Sequence, residues 1–163
     1  MEIFQSRISR VREKMRQAGL EQLLVTDHLS IYYLTGFDVV PMERFWAYLV
    51  RAEGENLLFA NILFALGDTG MPTVTFDDNA NVAELVAPHI QPGTLGVDKA
   101  MAAQFLLPIM AACPDTRMVV GSDCVDRVRA IKDEEEKQRM RRASQINDAC
   151  MEKLAAFIRE GVT

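Results

Sequence analysis

Reactive side chains are sparse in this chain, so their spacing has to carry any case for chemistry. There are two histidines, His28 and His89. A catalytic metal site needs several His, Asp or Glu side chains that converge. His28 lies beside an expected helix start and His89 at a helix end before Gln91-Pro92-Gly93, so each reads as a surface or capping residue. Cys113, Cys124 and Cys150 are odd in number, lack metal-type spacing and have no histidine near in sequence to serve as a base. They read as buried or semi-buried free thiols. No His-Glu-x-x-His pair, phosphate-binding loop or G-x-S-x-G turn occurs. Gly93-Thr94-Leu95-Gly96 is not a dinucleotide fingerprint. The acid pair Asp77-Asp78 stands at an expected helix start, where capping explains it more simply than catalysis. The sequence therefore offers no catalytic residue and no metal ligand set of its own.

The most suggestive stretch is the loop Gly36 to Arg44. It carries Phe37, two acids (Asp38 and Glu43), Met42 and Arg44 between a helix stop and a strand. Loops of mixed polar and aromatic character on a rigid scaffold often bind ligands or partners. A surface connection whose apolar residues tuck into the local core reads equally well.

With 163 residues the chain fits one domain of ordinary size, or one domain with an extension. Hydrophobic content of 49% and charged content of 25% suit a globular protein with a full core. A net charge of −5 gives no support to nucleic-acid binding. No apolar run approaches membrane-spanning length, and the opening residues lack the apolar region of a signal peptide. Together with the unpaired cysteines, this points to the cytoplasm.

These candidates must be positioned by regular elements. Phe4, Ile8, Val11, Met15 and Ala18 recur at helical spacing, with Gly19 as the stop. Within this helix, Arg10 to Arg16 reads as a solvated mixed-charge face. A buried strand follows at Gln22 to Thr26, then a helix over Leu29 to Thr35 capped by Asp27 and stopped by Gly36. A hairpin is expected from Phe45–Val50 and Asn56–Ala60, turning at Glu53-Gly54. The stretch from Ile62 to Leu66 reads as helix or loop, and Thr73–Phe76 as a strand. Helices over Asn79–Ile90, Ala100–Ala112 and Asp123–Ala130 alternate with strands at Leu95–Val97 and Arg117–Val120. Pro88 limits the first of these helices and Pro108 interrupts the second. The pattern predicts an α/β domain: a mixed β-sheet flanked by helices.

From Asp133 onward a long helix is expected, with Asp133 and Glu136 close to a capping box and i,i+4 pairs Asp133/Lys137 and Glu135/Arg139. Met140, Ala143, Ile146, Cys150, Leu154 and Phe157, with Ile158 beside them, form an apolar stripe. Periodicity gives the element type but not the partner, so this stripe belongs either against its own domain or against another one.

Several segments together resemble the creatinase/prolidase family of two-domain metallohydrolases. They are Arg10-Val-Arg-Glu-Lys-Met-Arg16, Leu23-Leu-Val-Thr-Asp27, Ser30-Ile-Tyr-Tyr-Leu-Thr-Gly-Phe37, Leu95-Gly-Val-Asp98 and the connector Arg129-Ala-Ile-Lys-Asp-Glu-Glu-Glu136. Pro41-Met-Glu-Arg-Phe45 followed by a hairpin looks most like the Xaa-Pro dipeptidase branch. The resemblance implies a creatinase-like N-terminal domain over residues 1–130 and a connector helix over 131–163. That helix leads to an absent "pita-bread" catalytic domain. In that domain the family holds two divalent metal ions, such as Mn, Co or Zn, and hydrolyses the bond before proline in dipeptides or peptides. None of the metal-binding positions lies in this chain, so the chain alone is expected to be inactive. The resemblance further implies a homodimer in which this domain overhangs the neighbour's active site. In the creatinase branch an aromatic and an arginine reach the substrate across the dimer. Those positions fall on Met42 and Arg44, with Phe37 as a third candidate contact. Methionine in place of the aromatic disfavours a creatine-type substrate and suits a peptidase, where Arg44 could pair with a peptide carboxylate. The same fold also serves non-catalytic protein-binding modules and creatinase-like amidinohydrolases, which stand as alternatives.

Overall fold

In a computed structural model that describes residues 2–161, the chain divides into two units with the boundary between Arg129 and Ala130. The first unit is built on a six-stranded sheet in the order β4-β3-β2-β1-β5-β6. Its strands are β1 Gln22–Val25, β2 Ala47–Arg51, β3 Leu57–Asn61, β4 Thr73–Phe76, β5 Gly93–Val97 and β6 Thr116–Val120. β1 and β2 pair antiparallel, as do β2 and β3, while β3–β4, β1–β5 and β5–β6 pair parallel. β2 thus runs against the other five. The carboxyl ends of those five strands gather at one end of the sheet, where the loop entering β2 also arrives. The mixed sheet flanked by helices is the architecture the sequence predicts.

Alternation along the strands sorts side chains between two cores, because successive residues face opposite ways. Leu23 and Val25 of β1, with Trp46, Tyr48 and Val50 around β2, pack with α1 (Glu2–Ala18), α2 (His28–Thr35) and α5 (Asp123–Ala130). Leu24, Ala47, Leu49, Phe59 and Leu95 face the other way and pack with α3 (Val82–Val86) and α4 (Ala103–Ala112). Phe45 knits this second core through edge-on and tilted contacts to Phe59, Phe76 and Phe105.

Local signals set most element ends. Asp27 caps α2 by accepting from Ser30 N–H, and Gly36 ends it at φ +85°, a conformation that suits glycine. Ile62–Phe64 forms a single 3-10 turn, capped by the Asn61 side chain. The helix expected over Asn79–Ile90 is shorter. Asn79 N–H binds the Asp77 carboxylate in a turn, Asn81 caps α3 instead of the acid pair, and the chain passes into a 3-10 turn at Ala87–His89 around Pro88. α4 starts three residues late because Met101 N–H closes a turn on Asp98. The expected solvated face of α1 is only partly so. Arg12 binds the carbonyls of Arg51 and Gly54 and the Asn56 side chain, anchoring the β2–β3 hairpin, and Arg10 reaches the Val128 carbonyl.

The second unit is dominated by α6, Glu134–Phe157. Asp133 accepts from Glu136 N–H and Glu136 reaches back to Asp133 N–H, a complete capping box. Arg139 pairs with Glu135, whereas Lys137 reaches Glu134, since the Asp133 carboxylate turns inward to cap. Met140, Ile146, Met151, Leu154 and Phe157 are all exposed. No helix among the described residues is long and apolar enough to cross a membrane.

Candidate functional site at the carboxyl ends of the strands

In open α/β sheets, ligands bind in the crevice beyond the strand ends where the chain switches direction across the sheet. Here that point lies between β1 and β5, and a side chain already fills it. Asp98, buried just past β5, accepts from Thr26 and Asp27 N–H on one oxygen and from Ala100 N–H and Ser122 Oγ on the other. The backbone donors that could greet a phosphate are taken up by this carboxylate, so the usual nucleotide crevice is closed. Beside it, Arg129 of α5 binds the Asp27 carboxylate at 3.2 Å and Ser30 Oγ at 2.9 Å, tying α5 to α2. Partial burial pushes the Asp27 carboxyl up. The Ser30 hydroxyl and N–H, with the charges of Arg129 and His28, outweigh that and hold it below its ordinary value.

The open part of this end is the loop between α2 and β2. Phe37 and Val39 pack against the sheet core, while Val40 and Met42 are exposed. Arg44 N–H closes a turn on the Pro41 carbonyl at 3.0 Å. Met42 inside this turn has φ +55°, a value L-residues with side chains seldom adopt. Ala65, on the connection leaving β3, shares the feature at φ +49°. Such outliers cost of order 1–3 kcal/mol and cluster at functional sites.

Arg44 is held by a chain of contacts that starts in the sheet. Its Nε and Nη2 donate to the two oxygens of Asp78 at 2.9 and 3.0 Å, and its Nη1 donates to Glu43 at 3.0 Å. Asp78 also accepts from Asn61 Nδ2 at 2.7 Å, and Asn61, buried at the end of β3, accepts from Leu63 N–H. The Arg44 hydrogen bonds hold the Asp78 carboxyl below its ordinary value, against some desolvation and with help from Asn61. Asp78 in turn raises Arg44. Asn61 also lines a cleft of about 320 Å³ with Ile62, Leu66, Asp68, Thr73 and Thr75.

The structure thus puts Met42 and Arg44 on one exposed turn, with Phe37 turned toward the core at the head of the loop. Sequence reading missed Asp78 and Asn61. The Asp77-Asp78 pair fits a capping role in the sequence, and it is the parallel pairing of β3 with β4 that brings Asp78 to Asn61. His89 lies edge-on against Phe59 at 5.7 Å, and its carbonyl accepts from Arg51. All three cysteines are free, but Cys150, on α6, is exposed rather than buried or semi-buried. Burial pushes the Cys113 thiol up, and burial with the Asp123 charge does the same to Cys124, which disfavours their thiolates. Among the described residues there is no cluster of three or more His, Cys, Asp or Glu side chains that could hold a metal ion.

The family model of the creatinase/prolidase N-terminal domain matches residues 7–131. An uncharacterized peptidase of Staphylococcus aureus strain USA300 is 23% identical over 172 residues, covering 97% of this chain and 46% of that relative. The chain therefore spans about half the length of the curated relatives it matches. Among solved structures, a recombinant prolidase from Thermococcus sibiricus superposes with a TM-score of 0.85 at 23% identity, covering 97% of this chain and 45% of that one. The dipeptidase PepE from Mycobacterium ulcerans gives 0.83 at 25% identity, covering 99% and 46%.

Proposed function

The chain belongs to the creatinase/prolidase N-terminal domain family, and on that premise we propose that it is the non-catalytic domain of an Xaa-Pro dipeptidase or aminopeptidase. In this reading it helps build a homodimer and gates access of a proline-containing dipeptide or peptide to an active site held by a C-terminal catalytic domain. Two divalent metal ions such as Mn, Co or Zn would be bound there and would activate the attacking water. The residues of this chain would bind and orient; they perform no bond-making step.

The observation that carries the reading is the turn bearing Met42 and Arg44. It projects an exposed apolar side chain on strained backbone and a guanidinium already held in a fixed plane, at the open end of an otherwise closed sheet edge. A forked, oriented guanidinium suits a carboxylate, and a peptide substrate carries one. The exposed apolar stripe of α6 supports a further partner surface, such as the catalytic domain. The test compares this chain with the full-length gene product on an Xaa-Pro dipeptide in the presence of added divalent metal. Activity in the full-length product alone is expected. Metal-dependent activity from this chain would overturn the reading. Inactivity of both would move the parent protein toward a protein-binding module or an amidinohydrolase.

A further inference from the structure

The contacts around Arg44 separate its three hydrogen-bonding edges. Asp78 takes the side edge formed by Nε and Nη2 with both oxygens, and Glu43 takes one proton of Nη1. Each Nη carries two protons and these bonds use one apiece, so Nη1 and Nη2 each keep a donor with which to meet a carboxylate. Asp78 is not a loose counter-ion. Asn61 grips it at 2.7 Å, and Asn61 is buried, belongs to β3, and has its own oxygen fixed by Leu63 N–H. The line of force therefore runs from the sheet through Asn61 and Asp78 to the guanidinium. A latch meant to be displaced by substrate would not need such backing; a buttress would. Holding a long side chain in one rotamer before the ligand arrives removes an ordering cost from binding.

We propose that Asp78, backed by Asn61, is a positioning residue that presents the remaining Nη donors of Arg44 to the carboxylate of a short peptide substrate. The inference rests on the reading that Arg44 meets substrate in the full-length enzyme. The substrate is the dipeptide already proposed, and the inference adds the residue that aims Arg44 at its carboxylate, so a dipeptide should be preferred to its C-terminal amide. Asp78 touches Arg44 and not the substrate, so its removal loosens the aim of the guanidinium without removing its charge.

The experiment is a double-mutant cycle in the full-length protein, with KM and kcat measured on an Xaa-Pro dipeptide and on its C-terminal amide. Asp78→Asn is expected to raise KM for the dipeptide about tenfold with kcat within about twofold, and to lower the preference for dipeptide over amide. Asp78→Glu, which keeps two acceptor oxygens, is expected to recover part of the loss. In an Arg44→Ala background, Asp78→Asn is expected to change KM by less than about twofold, since its effect acts through Arg44. Equal effects of Asp78→Asn in both backgrounds would make Asp78 merely structural and overturn the proposal. A change in KM for Arg44→Ala but none for Asp78→Asn would overturn the buttress while leaving Arg44 as a substrate contact. Unchanged kinetics for Arg44→Ala would overturn both. Unfolding midpoints of each variant identify any loss that comes from misfolding.

Discussion

The close approach of Gly121 to Gly96 gives the sharpest stability prediction. A Cβ built on Gly121, just past β6, would lie 2.6 Å from Leu23 Cδ1 and 2.8 Å from Gly96 Cα. Gly96 sits in β5, paired on one side to β1 and on the other to β6, so its backbone cannot withdraw without breaking both ladders. Leu23 is fully buried, so its methyl has no free space to enter. Overpacking of this kind costs about 1–3 kcal/mol. Alanine also restricts the unfolded chain, which returns roughly 0.4–1 kcal/mol. The net expectation for Gly121→Ala is a loss of about 1.3 kcal/mol, or roughly 3–5 °C in Tm for a chain of this size. Urea titration followed by far-UV circular dichroism reads it directly, with an unchanged m-value expected because the exposed surface is the same. A change within about 0.5 kcal/mol, the range of an ordinary surface substitution, would refute the argument that β5 and the residue after β6 meet without room for a side chain.

Other expectations concern the site and the caps. Met42→Gly removes a side chain from backbone at φ +55° and should leave stability unchanged or raise it by up to about 1 kcal/mol, read by chemical denaturation; a clear loss would mean that the exposed side chain makes a stabilising contact. Asp27 has a folded-state carboxyl held below its ordinary value, so near and below pH 4 the unfolded chain binds more protons and stability must fall as pH falls. Asp27→Asn should flatten that acid limb of the stability profile, and an unchanged slope would remove Asp27 from it. Asp133→Ala breaks the capping box and should cost α6 about 0.5–2 kcal/mol, seen as lost helical signal at 222 nm, with an unchanged spectrum counting against the cap.

The elements themselves were largely legible from local chemistry. Asp27 and Gly36 bracket α2, and Asp133 with Glu136 opens α6, because capping needs only residues within one helical turn. The aromatic and aliphatic run Phe45–Val50 reads as a strand, while its burial on both faces is a finding of the structure. Where local signals compete, tertiary contacts choose among them. Asp77-Asp78 and Asn81 are all good caps, and the helix started after the last of them because Asp77 closes a turn and Asp78 is drawn to Arg44. Arg10 and Arg12 looked solvated on a helical wheel, yet their long side chains reach carbonyls that the sequence places far away.

The amino-acid sequence by itself determined the helices, the strands, the α/β class and the family resemblance, since each rests on short-range periodicity, capping and contiguous motifs. Only the tertiary structure decided that Asp98 closes the crevice between β1 and β5 and that Arg44, Asp78 and Asn61 form one chain of contacts. Arg44 and Asp78 are 34 residues apart, and Asp78 and Asn61 are 17 apart. They meet because β3 and β4 run parallel with Asn61 opposite Phe76. That register is set by which faces of the sheet the crossing segments can bury, a property of the whole packed domain and not of any local run of residues.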